Sequence, residues 1–375
     1  NCAVILFSTL IALCLVESGS WVWVNVIRDN QLSRWEFRAT QPEPYRNADY
    51  FNAQFLRESE TFVNGRITDV VELEDFEGRY FNVQGGFRVT SDLPEKAQRR
   101  VLLFGGSTLF GQEVPDHLTI ASYLQRMLID SGQLWSVHNY GLPGMNASQQ
   151  VMIMSSIPLQ SGDIVIFYHG VNDIYYVVFG GAAGGWKAGV PNFRPIQKLS
   201  PLAKWMSRWH NRLKHYSSTA DVALDIFDRS TPLTISDQAT LTKGLDSSVR
   251  EFSLAIKTGY KLAQKSNADF IHYLQPTIFE MTEKSSYEEG LLDNYLETPP
   301  GIDVAFDRGY PKLRDVSAAL VSEGISFSDL SDALEGRHAH GEVFLDFCHI
   351  NHVGNRLIAE RILDDLLTSP IQEKR

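Results

Sequence analysis

The chain has few means of covalent cross-linking and little with which to hold nucleic acid. Only three cysteines occur in 375 residues. Cys2 and Cys14 lie in an apolar N-terminus and Cys348 stands alone, so no disulfide framework is implied. Lys and Arg number 34 against 45 Asp and Glu, a formal net charge of -11. A surface that tracks phosphates needs clustered cations, so this balance argues against a nucleic-acid partner. It leaves a small neutral or sugar-like substrate open. No internal repeat is present. No lysine follows a glycine-rich strand end, which removes a Walker-type phosphate loop. Gly105, Gly106 and Gly111 lack the spacing of a dinucleotide fingerprint. A Gly-x-Ser-x-Gly elbow around Ser107 fails because position 109 is leucine.

What is present is enough apolar sequence, 43% of residues, to bury a large core. "CAVILFSTLIALCLV", Cys2 to Val16, carries no charge, and "WVWVNVI" follows a break at Glu17 to Ser20. The first run falls short of the roughly 20 residues that a span needs. Two readings follow: a signal-anchor helix with Trp21 and Trp23 at the interface, or a cleaved signal peptide ending near Ser20. A lipoprotein site at Cys14 is weaker, because Leu13 is bulky for that cleavage. The anchor is favoured, so the protein is expected on the outer side of a membrane, periplasmic or at the cell surface, or secreted if the segment is cleaved. The expected organisation is an N-terminal hydrophobic segment over 1–29 and an extension over 30–95 without a core of its own. A main domain follows over 96–375, with an insertion at about 174–240.

From Arg100 the pattern alternates. "RVLLFG", "WSVHNYG", "DIVIFYHG", "DFIHYLQP" and "ISFSDL" read as strands, separated by stretches of helical periodicity, and "NHVGNRLIAERILDDLL" closes the chain as a helix. Short apolar runs ended by glycine and followed by helices predict βαβ units on a central parallel sheet, a three-layer α/β fold of flavodoxin-like type. The insertion contains a glycine-rich stretch and Trp186, Trp205 and Trp209. It falls where an open α/β sheet carries its ligand loops, so a lid or substrate wall and an inert surface excursion are about equally expected.

Chemistry concentrates at the strand ends. The first strand ends in "FGGST", where two glycines turn the chain and present Ser107 with its own N–H at the ligand edge. Alone, this is a turn and nothing more. The second strand ends in "NYGLPGMN", with Gly141 and Gly144, the third in "GVND", with Asn172, and "DFCHINHVGN" puts Asp346 three residues before His349. Serine, glycine, asparagine and histidine in this order resemble the SGNH (GDSL-type) hydrolase superfamily, over roughly Arg100 to Leu367 without the insertion. The resemblance implies Ser107 as nucleophile, His349 as base and Asp346 as its orienting carboxylate. It implies an oxyanion hole from Ser107, Gly144 and Asn172, with Gly141 as second choice for the glycine. No metal or organic cofactor is asked for. A glycine precedes the serine where the family often has aspartate.

The implied activity is hydrolysis of carboxylic esters through an acyl-enzyme, with O-acetyl groups on an envelope or exported glycan as the expected substrate. An O-acyltransferase acting on a carbohydrate with the same residues stays open. So does a metal-dependent hydrolase built on His338, His340, Asp346, His349 and His352, although it leaves the Ser, Gly and Asn strand ends unexplained. A non-catalytic glycan-binding module is the third alternative. Each residue also has a plainer role: Asn172 or Asp346 as a helix cap, Gly144 as a turn residue, His352 as a rival base.

Overall fold

Val101, Leu102, Leu103 and Phe104 are wholly buried, with no polar residue among them. Ile164 to His169 is buried along its whole length. Runs without polar alternation mark strands covered on both faces. In the computed structural model, which describes residues 2–22, 41–43, 45–63, 73, 75–180, 238–296, 301–336 and 341–368, these runs form the middle of a five-stranded parallel sheet. Its strands are β4 (Arg99–Gly105), β5 (Trp135–Asn139), β6 (Ile164–His169), β7 (Asp269–Leu274) and β8 (Ser326–Asp329). Their order is β5-β4-β6-β7-β8, every pair parallel. This is the flavodoxin-like order, whose connections reverse direction between β4 and β6. Two helix layers cover the sheet. One pairs α4 (Ile120–Asp130) with α10 (His352–Thr368). The other groups α5 (Ala147–Met154), α6 (Val171–Gly180), α7 (Gln238–Lys265) and α9 (Ile302–Val321).

Local signals explain where the helices start. Thr119 caps α4 by accepting the Ser122 N–H, and Asn146 with Gln149 forms a reciprocal capping box on α5. Asn351, rather than Asp346, caps α10, accepting the Val353 and Gly354 N–H groups at 3.0 and 3.1 Å. Asp346 is therefore left for other partners.

The extension is more ordered than its polar composition suggests. It contains α2 (Ala53–Val63) and an antiparallel meander of β1 (Phe76–Glu77), β2 (Asn82–Gln84) and β3 (Phe87–Arg88). β2 and β3 fall within "RYFNVQGGFRVTSD", a stretch that reads as a short strand pair, whereas the two residues of β1 carry too little periodicity to be read in advance. Tyr45, Tyr50, Phe51, Phe55 and Phe81 join the same buried cluster as the sheet residues. Glu58 pins the meander, its carboxylate accepting the Tyr80 N–H at 2.8 Å and the Phe81 N–H at 3.2 Å. Arg88 is buried under the serine loop, paired with Asp116 and set 4.0 Å from the centre of the Phe81 ring.

Cys2–Val22 is a helix, α1. Among the described residues no helix is long and apolar enough to cross a membrane, so the transmembrane-helix expectation finds no support. Residues 174–180 of the expected insertion belong to helix α6, which follows β6. The rest of the insertion over 181–237, with Trp186, Trp205 and Trp209, lies outside the described residues, as do His338 and His340.

Candidate active site

The reversal between β4 and β6 opens a crevice at the carboxyl ends of the strands, where open α/β sheets bind ligands. β4 delivers Ser107 to it and β6 delivers Asn172. Ser107 is the first residue of a single helical turn, α3 (Ser107–Phe110). Both preceding glycines are required by close approach. A methyl group on Gly105 would lie 2.9 Å from the Tyr168 carbonyl and the Leu109 side chain, and one on Gly106 only 2.6 Å from Asn172 Nδ2. The Gly-Gly-Ser ending therefore lets two neighbouring strand ends crowd together around the serine.

His349 reaches the serine from 242 residues away. A bridge between Phe344 and Ile350, with the Leu345 N–H donating to the His349 carbonyl at 2.8 Å, folds residues 345–349 into a tight turn. Within it Asp346 Oδ1 accepts the Cys348 and His349 N–H groups at 2.8 and 2.7 Å. Its other oxygen stands 2.5 Å from His349 Nδ1, and His349 Nε2 stands 2.6 Å from Ser107 Oγ. These three residues form one unbroken hydrogen-bonded chain. His352 is turned away, its Nδ1 bonded to the Tyr50 hydroxyl at 3.0 Å.

The electrostatics follow from this packing. Burial, the largest influence on His349, disfavours its charged form, yet the Asp346 and Glu113 carboxylates outweigh it and hold the ring well above the usual histidine range. Burial pushes Asp346 upward, but the imidazole and two backbone N–H groups hold it below its ordinary value. Burial pushes the Cys348 thiol up to about 12, so it stays protonated at neutral pH and is no rival nucleophile.

The oxyanion candidates separate cleanly. Gly141 donates its N–H to Asn139 Oδ1 at 2.9 Å, which removes it from the hole. Gly144 has φ +74, a left-handed conformation suited to glycine, and its N–H has no partner among the described residues. Its carbonyl is held by the Tyr176 hydroxyl at 2.5 Å. Asn172, second residue of α6, donates one amide hydrogen to the Met145 carbonyl at 2.8 Å, leaving the other for a ligand. Asp173 ties α6 to the start of α5 through the Ala147 N–H at 3.2 Å, and burial raises it to about 7.

Of the expected residues, Ser107, Asp346 and His349 meet directly, and Asn172 adjoins them through Gly106. Three contributors were not anticipated: Glu113, Tyr176 and Tyr50. Glu113 was visible as the one carboxylate in "LFGQEV", six residues after the serine. Among the described residues, the one group of three metal-capable side chains is Asp346, Cys348 and His349, two of which already bond each other and Ser107. A polar cavity of ≈690 Å³ opens instead at the amino-terminal edge of the sheet, lined by Arg99, Arg100 and Trp135. Its arginines already bond Asp269 and Asp163.

No protein-family model matches the chain, and no curated protein matches it. Solved structures do. The chain is similar to a lipolytic protein of the G-D-S-L family from Veillonella parvula DSM 2008, at 13% identity and TM-score 0.41, over 72% of this chain and 99% of that one. It is similar to an acetyl xylan esterase at 13% identity and TM-score 0.39, over 71% and 99%. A variant of an acetyl-xylooligosaccharide esterase from a Geobacillus aligns at 10% identity and TM-score 0.41, over 72% and 94%.

Proposed function

We propose that the protein is a serine ester hydrolase of the SGNH type. The observation that carries this reading is the continuous chain Asp346–His349–Ser107, with distances of 2.5 and 2.6 Å, at the carboxyl edge of a parallel sheet. In this reading His349 Nε2 takes the proton as Ser107 Oγ bonds to the ester carbonyl carbon. The carbonyl electron pair moves onto oxygen, where the Ser107 and Gly144 N–H groups and the second Asn172 amide hydrogen stabilise it. Asp346 keeps the imidazole in the tautomer that accepts at Nε2 and stabilises the resulting cation. Collapse breaks the bond to the alkoxy oxygen, which leaves with the His349 proton. Water then repeats the sequence on the acyl-serine.

The proposed substrate is a small acyl ester, O-acetyl, on a carbohydrate. Tyr175, half-buried and backed by the buried Phe347 ring at 5.1 Å, supports one aromatic face for a sugar ring. A place of action outside the cytoplasm is proposed with it, supported by the uncharged segment Cys2 to Val16. Incubation with p-nitrophenyl acetate and with acetylated oligosaccharides, followed by mass spectrometry of released acid, tests the reading. Acetate released by the wild type and not by Ser107→Ala supports it, and no release from either substrate overturns it. Acetyl groups recovered on added sugar instead of in water would identify a transferase.

A further inference from the structure

We propose that Glu113 is a positioning residue for His349, a second carboxylate that faces the ring from its Nε2 side while Asp346 holds Nδ1. The inference rests on the serine-hydrolase reading above and deepens it. Glu113 Oε1 lies 3.8 Å from His349 Nε2, too far to displace Ser107 from that nitrogen and close enough to act on its charge. The Glu113 side chain is only 18% exposed, which weakens solvent screening.

The loop that carries Glu113 is held from both sides. Gly111, in the left-handed conformation at φ +75, ends α3 and donates its N–H to the Ser107 carbonyl at 2.9 Å. The buried Arg88 guanidinium donates to the Gly111 carbonyl at 2.9 Å and to the Val114 carbonyl at 2.8 Å, one on each side of Glu113. Arg88 belongs to the N-terminal meander, so the extension helps to place a charge in the site. The groups that face His349 are Asp346 and Cys348 from its own turn, Ser107 from α3 and Glu113 from the loop after it. Those that face Glu113 are His349, Asp346, Arg88, Tyr45 and Tyr50. Arg88 is balanced by Asp116, and burial keeps both tyrosines neutral.

The consequence is chemical. When the Ser107 O–H bond breaks and the Nε2–H bond forms, positive charge appears between two carboxylates instead of beside one. The imidazolium is stabilised, and the free base is available only at higher pH. Activity therefore rises through an acidic limb set jointly by Asp346 and Glu113.

The test is the pH profile of kcat/KM for p-nitrophenyl acetate. A charge at this range shifts a neighbour by about one to three units, so Glu113→Gln is expected to move the acidic limb down by about one to two pH units. Below both limbs the variant then hydrolyses faster than the wild type. Glu113→Asp keeps the charge and is expected to restore the limb to within about half a unit of the wild-type position. Glu113→Ala carries the same expectation as the amide and replaces it if the amide variant does not fold. An unmoved limb, with activity reduced equally at every pH, overturns the proposal, since that is how a purely structural side chain behaves. If Ser107→Ala remains fully active, the serine-hydrolase reading has failed instead.

Discussion

Adding one methyl group at Gly106 tests the crowding around the serine. The backbone there is extended, φ -84 and ψ -154, so alanine meets no conformational barrier and the whole effect is contact. The new carbon would sit 2.6 Å from Asn172 Nδ2 and 3.3 Å from the Met145 carbonyl oxygen, the two ends of one hydrogen bond. The amide must give way by roughly 1 Å to reach ordinary contact, which breaks its bond to Met145 and moves its second hydrogen off target. Loss of one oxyanion donor lowers kcat by about 10²–10³. Overpacking of this kind destabilises by about 1–3 kcal/mol. Turnover of p-nitrophenyl acetate and urea denaturation read the two quantities separately. Fluorophosphonate labelling of Ser107 is expected to persist at a reduced rate. Gly106→Ala/Asn172→Ala removes the obstruction, so it is expected to recover most of the lost stability while kcat stays at the level of Asn172→Ala. Wild-type kcat in Gly106→Ala would refute the assignment of Asn172, and fully additive losses in the double variant would refute the steric argument.

Ser107→Ala and His349→Ala are each expected to abolish hydrolysis, and the double variant to be little worse than Ser107→Ala, because the residues act as one unit; kcat measurements check this. Asp346→Asn is expected to keep the fold and lose roughly 10⁴ in kcat through the wrong imidazole tautomer. His352→Ala retains most activity, since that ring faces Tyr50; a dead variant would reassign the base. The raised His349 pKa places the acidic limb of kcat/KM above the ordinary value of about 6.5, and a limb at or below that value contradicts the two-carboxylate environment. The same shift acts oppositely on stability. The charged ring contributes fully below about pH 6.5, and that contribution is lost as pH rises through the folded value, as urea titrations across this range would read. Arg88→Met leaves Asp116 buried without its cation and is expected to cost about 3–5 kcal/mol in urea denaturation, with activity falling as the Glu113 loop loosens.

The layer order and the strand ends were legible without coordinates because they depend on local chemistry. Unbroken apolar runs such as Val101 to Phe104 can be satisfied only between two covering layers, and glycine after each of the first three strands of the parallel sheet marks a chain that must turn sharply. The Asp346 and His349 spacing is equally local, since one tight turn brings a carboxylate onto Nδ1 three residues later. What the tertiary structure decided depends on which distant groups compete for the same atom. Gly144 stands ahead of Gly141 in "GLPG", and the fold supplies the reason: Asn139 takes the Gly141 N–H nearby, while Tyr176, from another helix, holds the Gly144 carbonyl. The aspartate spacing favours His349 over His352, and Tyr50, three hundred residues earlier, supplies the tertiary reason by engaging the second. A two-residue strand such as β1 is formed by pairing alone, so no periodicity announces it. Glu113 reads as an ordinary acidic loop residue, and its charge gains meaning only because Arg88 and the turn at Gly111 bring it within 3.8 Å of a ring 236 positions away. Electrostatic energy falls with distance in space and not along the chain, and folding is what makes the two differ.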